Sequence, residues 1–285
     1  MAKYKSLLQT LQKNTGDNIA KCRLALEICH NDVSKAEEWL KELAEHYKLV
    51  DKSKLGLVAV ATDKNTAAMV EINCEATYTV DNNLFKNLAA NVANTCLSRA
   101  KEENNFENSI SKTFLNSEDL KILKGVKGKT LGDSATNATT YLRENITLKR
   151  GLCLKVKDDL RICGCTHPLF SRFGSGTQGY CGSLLVYKTN TENKFISTVV
   201  KQLCLHVIGM APSKLGDPLK DKPLRNKYEE SCMIHQPFLL EEDILVSDVL
   251  RGTGVSLVEF IRFQCGEKLE EADDDQSQEN ANASL

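Results

Sequence analysis

The sequence has almost no net charge, no long apolar run and no Cys-x-x-Cys pair. Its 285 residues carry 37 Lys and Arg against 38 Asp and Glu, a formal net charge of −1. Proteins that bind nucleic acid usually have a basic excess. The balance therefore disfavours a direct nucleic-acid partner, although it does not exclude a local basic patch. No apolar run approaches the roughly 20 residues that cross a bilayer, and no secretory signal is visible, so we expect no membrane association.

Cysteine, by contrast, is abundant. The eleven Cys residues are odd in number and scattered along the chain, which does not indicate a disulfide framework. We expect most of them to be small buried side chains in a reducing compartment. Cys163, Cys165 and His167 alternate on a predicted strand and could share one face, as zinc ligands would. A tetrahedral site needs a fourth ligand, however, and the lack of a Cys-x-x-Cys pair favours packing over metal binding.

Two glycine-containing loops match parts of nucleotide-binding motifs. Residues 174–179 spell the dinucleotide fingerprint, but that site needs a helix after the last Gly, and residues 180–187 predict a strand. Gly128-Lys129-Thr130 resembles the end of a phosphate-binding loop, but Leu123 occupies the position of its first Gly. Both segments are therefore predicted to be loops without a nucleotide. A Cys–His hydrolase is disfavoured because no Cys stands in a recognised catalytic signature.

Apolar periodicity and turn signals divide the chain into four regions, with limits at 1–47, 55–142, 143–266 and 267–285. The first predicts three short helices and the last an acidic, disordered tail. Residues 48–54 form a charged linker. Each middle region predicts a hairpin followed by a helix, as a weak repeat would. Predicted strands lie at 57–60, 68–72, 147–157, 160–167, 180–188 and 255–263, helices at 84–96, 117–124, 132–145 and 193–208, and a polar loop at 101–112.

Three stretches, in this order and spacing, are similar to one family of translation factors. The first runs from Thr15-Gly16 to Trp39-Leu40, and the second is Val70-Glu71-Ile72-Asn73-Cys74-Glu75. The third, residues 144–150, is followed at a distance by residues 206–212. Together they resemble elongation factor Ts, and the resemblance covers essentially residues 5–270. The segments that are similar to its animal mitochondrial branch are residues 114–117, 236–240 and 254–267, together with the acidic tail.

The resemblance implies both a fold and a function. The expected fold is α+β, with an N-terminal three-helix ubiquitin-associated-like domain followed by a core of two α+β subdomains with antiparallel sheets. The expected function is guanine nucleotide exchange on elongation factor Tu, a GTPase, in mitochondrial translation elongation. Such a factor binds the GDP-bound GTPase, disturbs its magnesium and phosphate site, and promotes GDP release and GTP loading. It forms a heterodimer with the GTPase, catalyses no reaction, and uses no cofactor or metal.

The resemblance also implies a compartment, the mitochondrial matrix. The first sixteen residues hold Lys3, Lys5 and Lys13 with no acidic residue, a faint indication of a transit peptide. Leu7, Leu8 and Leu11 instead predict the core face of a helix. No presequence is visible, so the expected compartment depends on the resemblance alone.

The contacts with elongation factor Tu are implied residue by residue. The family's wedge follows the Asn-Cys pair and typically reads Thr-Asp-Phe-Val, whereas residues 76–79 read Ala-Thr-Tyr-Thr. Tyr78 keeps an aromatic ring, but Thr77 lacks the carboxylate, a loss of about 1 kcal/mol or roughly fivefold. Gln12 replaces the family's Arg, and Ile19 and Ala20 occupy its paired apolar contact positions. The expected partner-binding residues are Gln12, Ile19, Ala20, Ala76, Thr77, Tyr78, Thr79, His167 and His206.

The residues taken alone also allow other functions. One is a hydrolase or dehydrogenase built on the glycine loops, and another is a ubiquitin-binding adaptor built on the first 46 residues. Tyr78 could be an exposed aromatic residue without a function, and a histidine on a helix, such as His206, is more often a packing residue than a contact.

Overall fold

Antiparallel sheets with helices packed on them make up the part of the chain that the structure describes. This computed structural model describes residues 2–15, 19–49, 55–103, 106–125, 128–226 and 229–267. The mixture of helices and antiparallel sheets agrees with the predicted α+β class. The predicted acidic tail, residues 267–285, lies outside the described residues from 268 onwards. Residues 50–54 of the predicted linker 48–54 also lie outside them, and its first two residues belong to the helix Val33–Leu49 instead.

Helices and strands follow one another along the described chain with these bounds. The helices are α1 Ala2–Thr15, α2 Ile19–Ile28, α3 Val33–Leu49, α4 Thr77–Asp81, α5 Asn83–Glu102, α6 Ser117–Ile122, α7 Leu131–Leu142, α8 Lys194–Met210 and α9 Val246–Thr253. The strands are β1 Gly56–Thr62, β2 Thr66–Asn73, β3 Ile110–Leu115, β4 Thr147–Val156, β5 Arg161–His167, β6 Ser171–Phe173, β7 Gly176–Gly179, β8 Cys181–Lys188, β9 Pro237–Phe238, β10 Glu241–Leu245 and β11 Ser256–Gln264. None of the described helices combines the length and hydropathy that a bilayer crossing requires.

The first three helices share a small core of their own. Leu11, Leu26 and Leu40, one from each helix, are buried together in it. The turn between α2 and α3 places His30 and Asn31 in the left-handed region, with φ of 51° and 66°. Three helices therefore lie in the first 49 residues, as the apolar pattern predicts. That their arrangement is ubiquitin-associated-like stays a prediction.

The main sheet has six antiparallel strands in the order β3-β4-β2-β1-β7-β6. A second sheet has three, in the order β11-β8-β5. The six-stranded sheet takes β1, β2 and β3 from the predicted region 55–142 and the rest from 143–266. One sheet thus joins the two predicted core subdomains, whose limits stay a prediction.

Strand β1 shows how the layers are built. Leu57 and Ala59 pack in one cluster with the buried face of α5, which includes Phe85. Val58 and Val60 pack on the opposite face with residues of the three-stranded sheet. Successive side chains of a strand point to opposite faces, so this strand is buried on both sides and reads as a continuous apolar run. Helix α8 covers the outer face of the three-stranded sheet, which gives four layers.

Several elements depart from the sequence predictions. Residues 176–179 of a predicted loop form β7, and β6, β9, β10 and α9 were not predicted. The predicted polar loop at 101–112 was wrong at its end, because Ile110–Leu115 forms β3, the outer strand of the six-stranded sheet. Only Leu115 of that strand is fully buried, so its sequence shows little apolar signal. Helix α4 was not predicted either. It has five residues, of which only Thr79 is buried.

Candidate partner-binding surface

The predicted wedge residues lie directly after β2, where the chain leaves the sheet. The backbone N–H of Cys74 donates to the carbonyl of Leu55 at 2.9 Å, and its thiol donates to the carbonyl of Ala76 at 3.6 Å. Burial raises the pKa of the Cys74 thiol to about 12, and the charge of Glu144 contributes to the shift. The thiol is therefore protonated at neutral pH and acts as a donor that fastens the turn to the sheet.

Helix α4 presents two of the wedge residues to solvent and turns one inward. Tyr78 has 67% of its surface exposed, and Thr77 is exposed beside it. Thr79 is fully buried, and its hydroxyl donates to Oε2 of Glu144 at 2.6 Å. Ala76 precedes the helix and makes no side-chain cap. An aromatic ring is thus held outwards on a short helix whose inner side is bonded to the core.

A buried ion pair fixes the strand end from which α4 departs. Glu71 is fully buried, and its carboxylate accepts hydrogen bonds from Nε of Arg150 and from the backbone N–H of Gly266, both at 2.7 Å. The side-chain amide of Asn73 donates to the same carboxylate at 3.2 Å. The guanidinium of Arg150 lies 4.0 Å from the ring centroid of Phe263. These contacts tie β2, β4 and the end of β11 together immediately before the wedge.

The predicted N-terminal contacts lie on the first two helices. Gln12 is half-buried on α1. Ile19 and Ala20 are the first residues of α2, and their side chains lie outside the described part of the chain. Trp39 of α3 meets the imidazole of His167 edge-on, with ring centroids 5.2 Å apart. Desolvation lowers the pKa of His167 to about 4, so this residue is neutral where the N-terminal helices contact the core.

His206 is an internal residue. It is fully buried on α8, with Nε2 at 3.0 Å from Oε1 of Gln236. The backbone N–H of Leu239 donates to its Nδ1 at 3.2 Å. Desolvation lowers the pKa of His206 to about 4, partly opposed by the hydrogen bond to Gln236. The imidazole is neutral, both ring nitrogens are bonded within the chain, and no part of it is accessible to a partner in this conformation.

Of the nine expected contacts, the structure brings residues 76–79 together in one turn and places the other five on α1, α2, β5 and α8. Glu71, Glu144 and Arg150 were missed as functional candidates. Glu144 and Arg150 are the first and last residues of the third family-like stretch, so the sequence did mark both positions. Their partners could not be read from it, because Thr79 and Glu144 are 65 residues apart.

Both glycine loops have structural explanations. Residues 176–179 form β7 and are followed by β8, so no helix opens after the last Gly. A Cβ on Gly179 would lie 2.3 Å from the carbonyl oxygen of Pro168, so close packing requires glycine there. Thr130 caps α7 in a capping box with Asp133. The carboxylate of Asp133 thus occupies the helix terminus where a phosphate would have to bind.

The cysteines are packed within the fold. All eleven are free, eight of them buried and three half-buried. The thiol of Cys204 donates to the carbonyl of Cys163 at 3.5 Å, and Sγ of Cys165 lies 3.8 Å from Oγ of Ser183. Within the described ranges, no three His, Cys, Asp or Glu side chains are arranged to hold a metal ion.

Two family models match the chain. One, described as "Elongation factor Ts, mitochondrial, N-terminal", matches residues 1–47, and the other, described as "Elongation factor TS", matches residues 75–218.

Relatives from insects and a vertebrate match over almost the whole length. Mitochondrial elongation factor Ts of Aedes aegypti is 35% identical over 280 residues, covering 95% of this chain and 91% of that protein. The Drosophila melanogaster protein of the same name is 36% identical over 277 residues, covering 93% and 86%. That of Homo sapiens is 32% identical over 283 residues, covering 95% and 86%. This chain therefore belongs to the elongation factor Ts family.

Proposed function

We propose that this chain is a guanine nucleotide exchange factor for elongation factor Tu in mitochondrial translation elongation. The observation that carries the proposal is the placement of Tyr78. It is a largely exposed aromatic residue on a helix whose inner side is bonded to the buried Glu144. An exposed aromatic side chain on a helix that is bonded to the core is typical of a residue that anchors a protein interface.

Exchange of this kind needs no acid, base or nucleophile. GDP leaves a GTPase slowly because its phosphates and magnesium are held by a closed network of loops. A factor that binds the nucleotide-free GTPase more tightly must weaken GDP binding by the same ratio. A thousandfold effect requires about 4 kcal/mol of differential contact. One buried aromatic anchor within an interface of standard size can supply that amount.

The wedge acts by intruding next to the magnesium and phosphate site of the GTPase. In this proposal the ring of Tyr78 enters the partner while Thr77 offers a hydroxyl in place of the family's carboxylate. Gln12, Ile19 and Ala20 on the first helices grip the nucleotide domain of the GTPase together with this wedge.

The second half of the chain contacts another domain of the GTPase. Since His206 is buried, its part there is indirect: it bonds the backbone of Leu239, a residue whose side chain is exposed. His167 likewise contributes by holding Trp39 at the junction with the N-terminal helices. Chain and GTPase form a heterodimer in the mitochondrial matrix. The names of the relatives support a mitochondrial location, and the matrix is part of the proposal.

Linkage between the two ligands tests this function. The affinity of the chain for mitochondrial elongation factor Tu is measured by calorimetry, once with the nucleotide-free GTPase and once with excess GDP. We expect binding to the nucleotide-free form to be at least a hundredfold tighter, and GDP affinity to fall by the same factor in the complex. Equal affinity for both forms would contradict the proposal, because such a protein could bind the GTPase but could not displace its nucleotide.

The adaptor alternative predicts a different result. A ubiquitin-binding adaptor would bind ubiquitin through its first 46 residues and would show no linkage to GDP. Titration of ubiquitin into the full chain is therefore the matched negative control, for which we expect no binding.

A further inference from the structure

A buried carboxylate beneath α4 has no counter-ion within the described ranges of the chain. Glu144 follows the end of α7 and is only 8% exposed. Its Oε2 accepts the hydrogen bond from Thr79, whereas its Oε1 is buried without a hydrogen-bond partner among the described residues. A buried carboxylate costs free energy unless it is paired or fully hydrogen-bonded. Glu71 shows the usual solution, since Arg150 lies against it at 2.7 Å.

The surroundings of Glu144 are the wedge itself. The pKa of the Tyr78 hydroxyl is raised because the hydroxyl lies close to Glu144, although the two make no hydrogen bond of ordinary geometry. Burial and then the charge of Glu144 raise the pKa of the Cys74 thiol. Cys74 before α4, Tyr78 within it and Thr79 at its centre are therefore all affected by this one carboxylate.

Helix α4 is too short to hold its own geometry. A five-residue helix has scarcely more than one turn of internal hydrogen bonds, and such a helix is unstable without outside contacts. Its buried side chain is Thr79, whose hydroxyl is bonded to Glu144. The direction in which Tyr78 leaves the surface thus depends on this bond at the neighbouring residue.

We propose that Glu144 is a positioning residue for nucleotide exchange: by accepting the hydrogen bond of Thr79 it sets the direction in which Tyr78 enters the partner GTPase. Glu144 does not itself touch the nucleotide. This inference depends on the proposed exchange function, and it adds to that function a residue outside the wedge that determines how the wedge works.

The test uses variants of the full chain that keep side-chain volume. Thr79→Val removes the hydroxyl but keeps the branched shape, and Thr79→Ser keeps the hydroxyl but removes a methyl group. Glu144→Gln keeps an oxygen that can accept the bond. Thr198→Val is the matched control, because it removes an exposed hydroxyl on α8 that bonds only to the backbone of its own helix.

Two measurements are made on each variant. The first is the rate of GDP release from mitochondrial elongation factor Tu as a function of factor concentration, which separates the maximal rate from the half-saturating concentration. The second is hydrogen–deuterium exchange of the amides of residues 77–82 in the free chain. The second reports the order of α4 without any GTPase.

We expect Thr79→Val to lower the maximal rate about tenfold, with a smaller change in half-saturation, because a misdirected ring still binds but enters poorly. Amides of residues 77–82 should exchange faster in the same variant. Thr79→Ser and Glu144→Gln should stay within about threefold of the parent chain in both measurements, and Thr198→Val should match it.

Three results would overturn the inference. An unchanged maximal rate in Thr79→Val would show that the hydrogen bond between Thr79 and Glu144 does not set the direction of Tyr78. If Thr79→Ser does not recover the rate, the packing of the Thr79 methyl group, and not its hydroxyl, determines the rate of GDP release. Loss of activity in Glu144→Gln with unchanged amide exchange would assign Glu144 an electrostatic role instead. Failure of the exchange function itself is recognised separately, because the unmodified chain would then not accelerate release while the amide exchange would still report on the bond.

Discussion

Replacing Tyr78 with Ala distinguishes a role in exchange from a role in folding. A tyrosine side chain offers about 150–250 Å² of surface, and 67% of Tyr78 is exposed. If a partner covers the exposed part, about 130 Å² of mostly apolar surface at about 25 cal/mol per Å² contributes about 3 kcal/mol. That amount corresponds to roughly a hundredfold in the rate of exchange. The buried third contributes less than about 2 kcal/mol to folding by the same conversion.

The assay compares Tyr78→Ala with the parent chain in the release of fluorescent GDP from mitochondrial elongation factor Tu, and thermal unfolding is measured on the same samples. Phe195→Ala is the matched control, because Phe195 is an aromatic residue of α8 with a similar exposure of 63%. We expect release to slow about a hundredfold for Tyr78→Ala and to change little for Phe195→Ala, while both chains melt within a few degrees of the parent. The reasoning is refuted if Tyr78→Ala melts much lower and exchange falls only in proportion to the unfolded fraction.

Three further predictions concern the charge of the wedge, acid stability and the buried ion pair. Thr77→Asp restores the carboxylate that the family has at this position and should accelerate GDP release about fivefold, since a hydrogen bond to a charged group is worth about 1 kcal/mol more than a neutral one. No acceleration would mean that the partner lacks the matching donor. Because burial lowers the pKa of His167 and His206 to about 4, the unfolded chain takes up these protons first as the pH falls below 6.5. The free energy of unfolding should therefore decrease between pH 7.5 and pH 5 by up to about 2 kcal/mol per histidine, measured by urea titration, and a pH-independent value would contradict this account. Glu71→Ala leaves the guanidinium of Arg150 without its buried partner and should destabilise the chain by about 3–5 kcal/mol in the same titration, whereas a loss below about 1 kcal/mol would show that water replaces the carboxylate.

The long, periodic elements could be predicted from the sequence because their apolar patterns are strong. The predicted strands at 147–157, 160–167 and 180–188 correspond to β4, β5 and β8 within one residue at each end. The predicted helix at 193–208 is α8, which ends two residues later. Strands β4 and β8 and helix α8 each have a largely buried run or face, and β5 pairs with β8 over its whole length, so the core fixes the spacing of their side chains.

Elements with little buried surface could not be predicted. The outer strand β3 buries only Leu115 completely, and Phe114 beside it is largely exposed. Helix α4 is held by a bond from Thr79 to a residue 65 positions away. The joining of both middle regions into one six-stranded sheet also depends on pairings between distant segments, such as β1 with β7. Local patterns contain no information on such contacts.

The candidate site divides along the same line. The positions of residues 76–79 follow from the family-like sequence around Asn73-Cys74, and that they share one turn follows from their adjacency. The burial of His206 could not be read from its place on an apolar helix face, because that pattern is shared by packing and contact residues. The hydrogen bond between Glu144 and Thr79 could be found only from the structure. In the sequence, a carboxylate between α7 and β4 looks like an ordinary solvated residue.

The central claim is that this chain releases GDP from a partner by binding it. The most direct test is the dissociation rate of labelled GDP from mitochondrial elongation factor Tu, measured with and without micromolar amounts of the chain, in excess unlabelled GDP. We predict a rate that rises with factor concentration and saturates at least a hundredfold above the spontaneous rate. A rate that stays at the spontaneous value at every concentration, with a folded chain and an active GTPase, would contradict the claim.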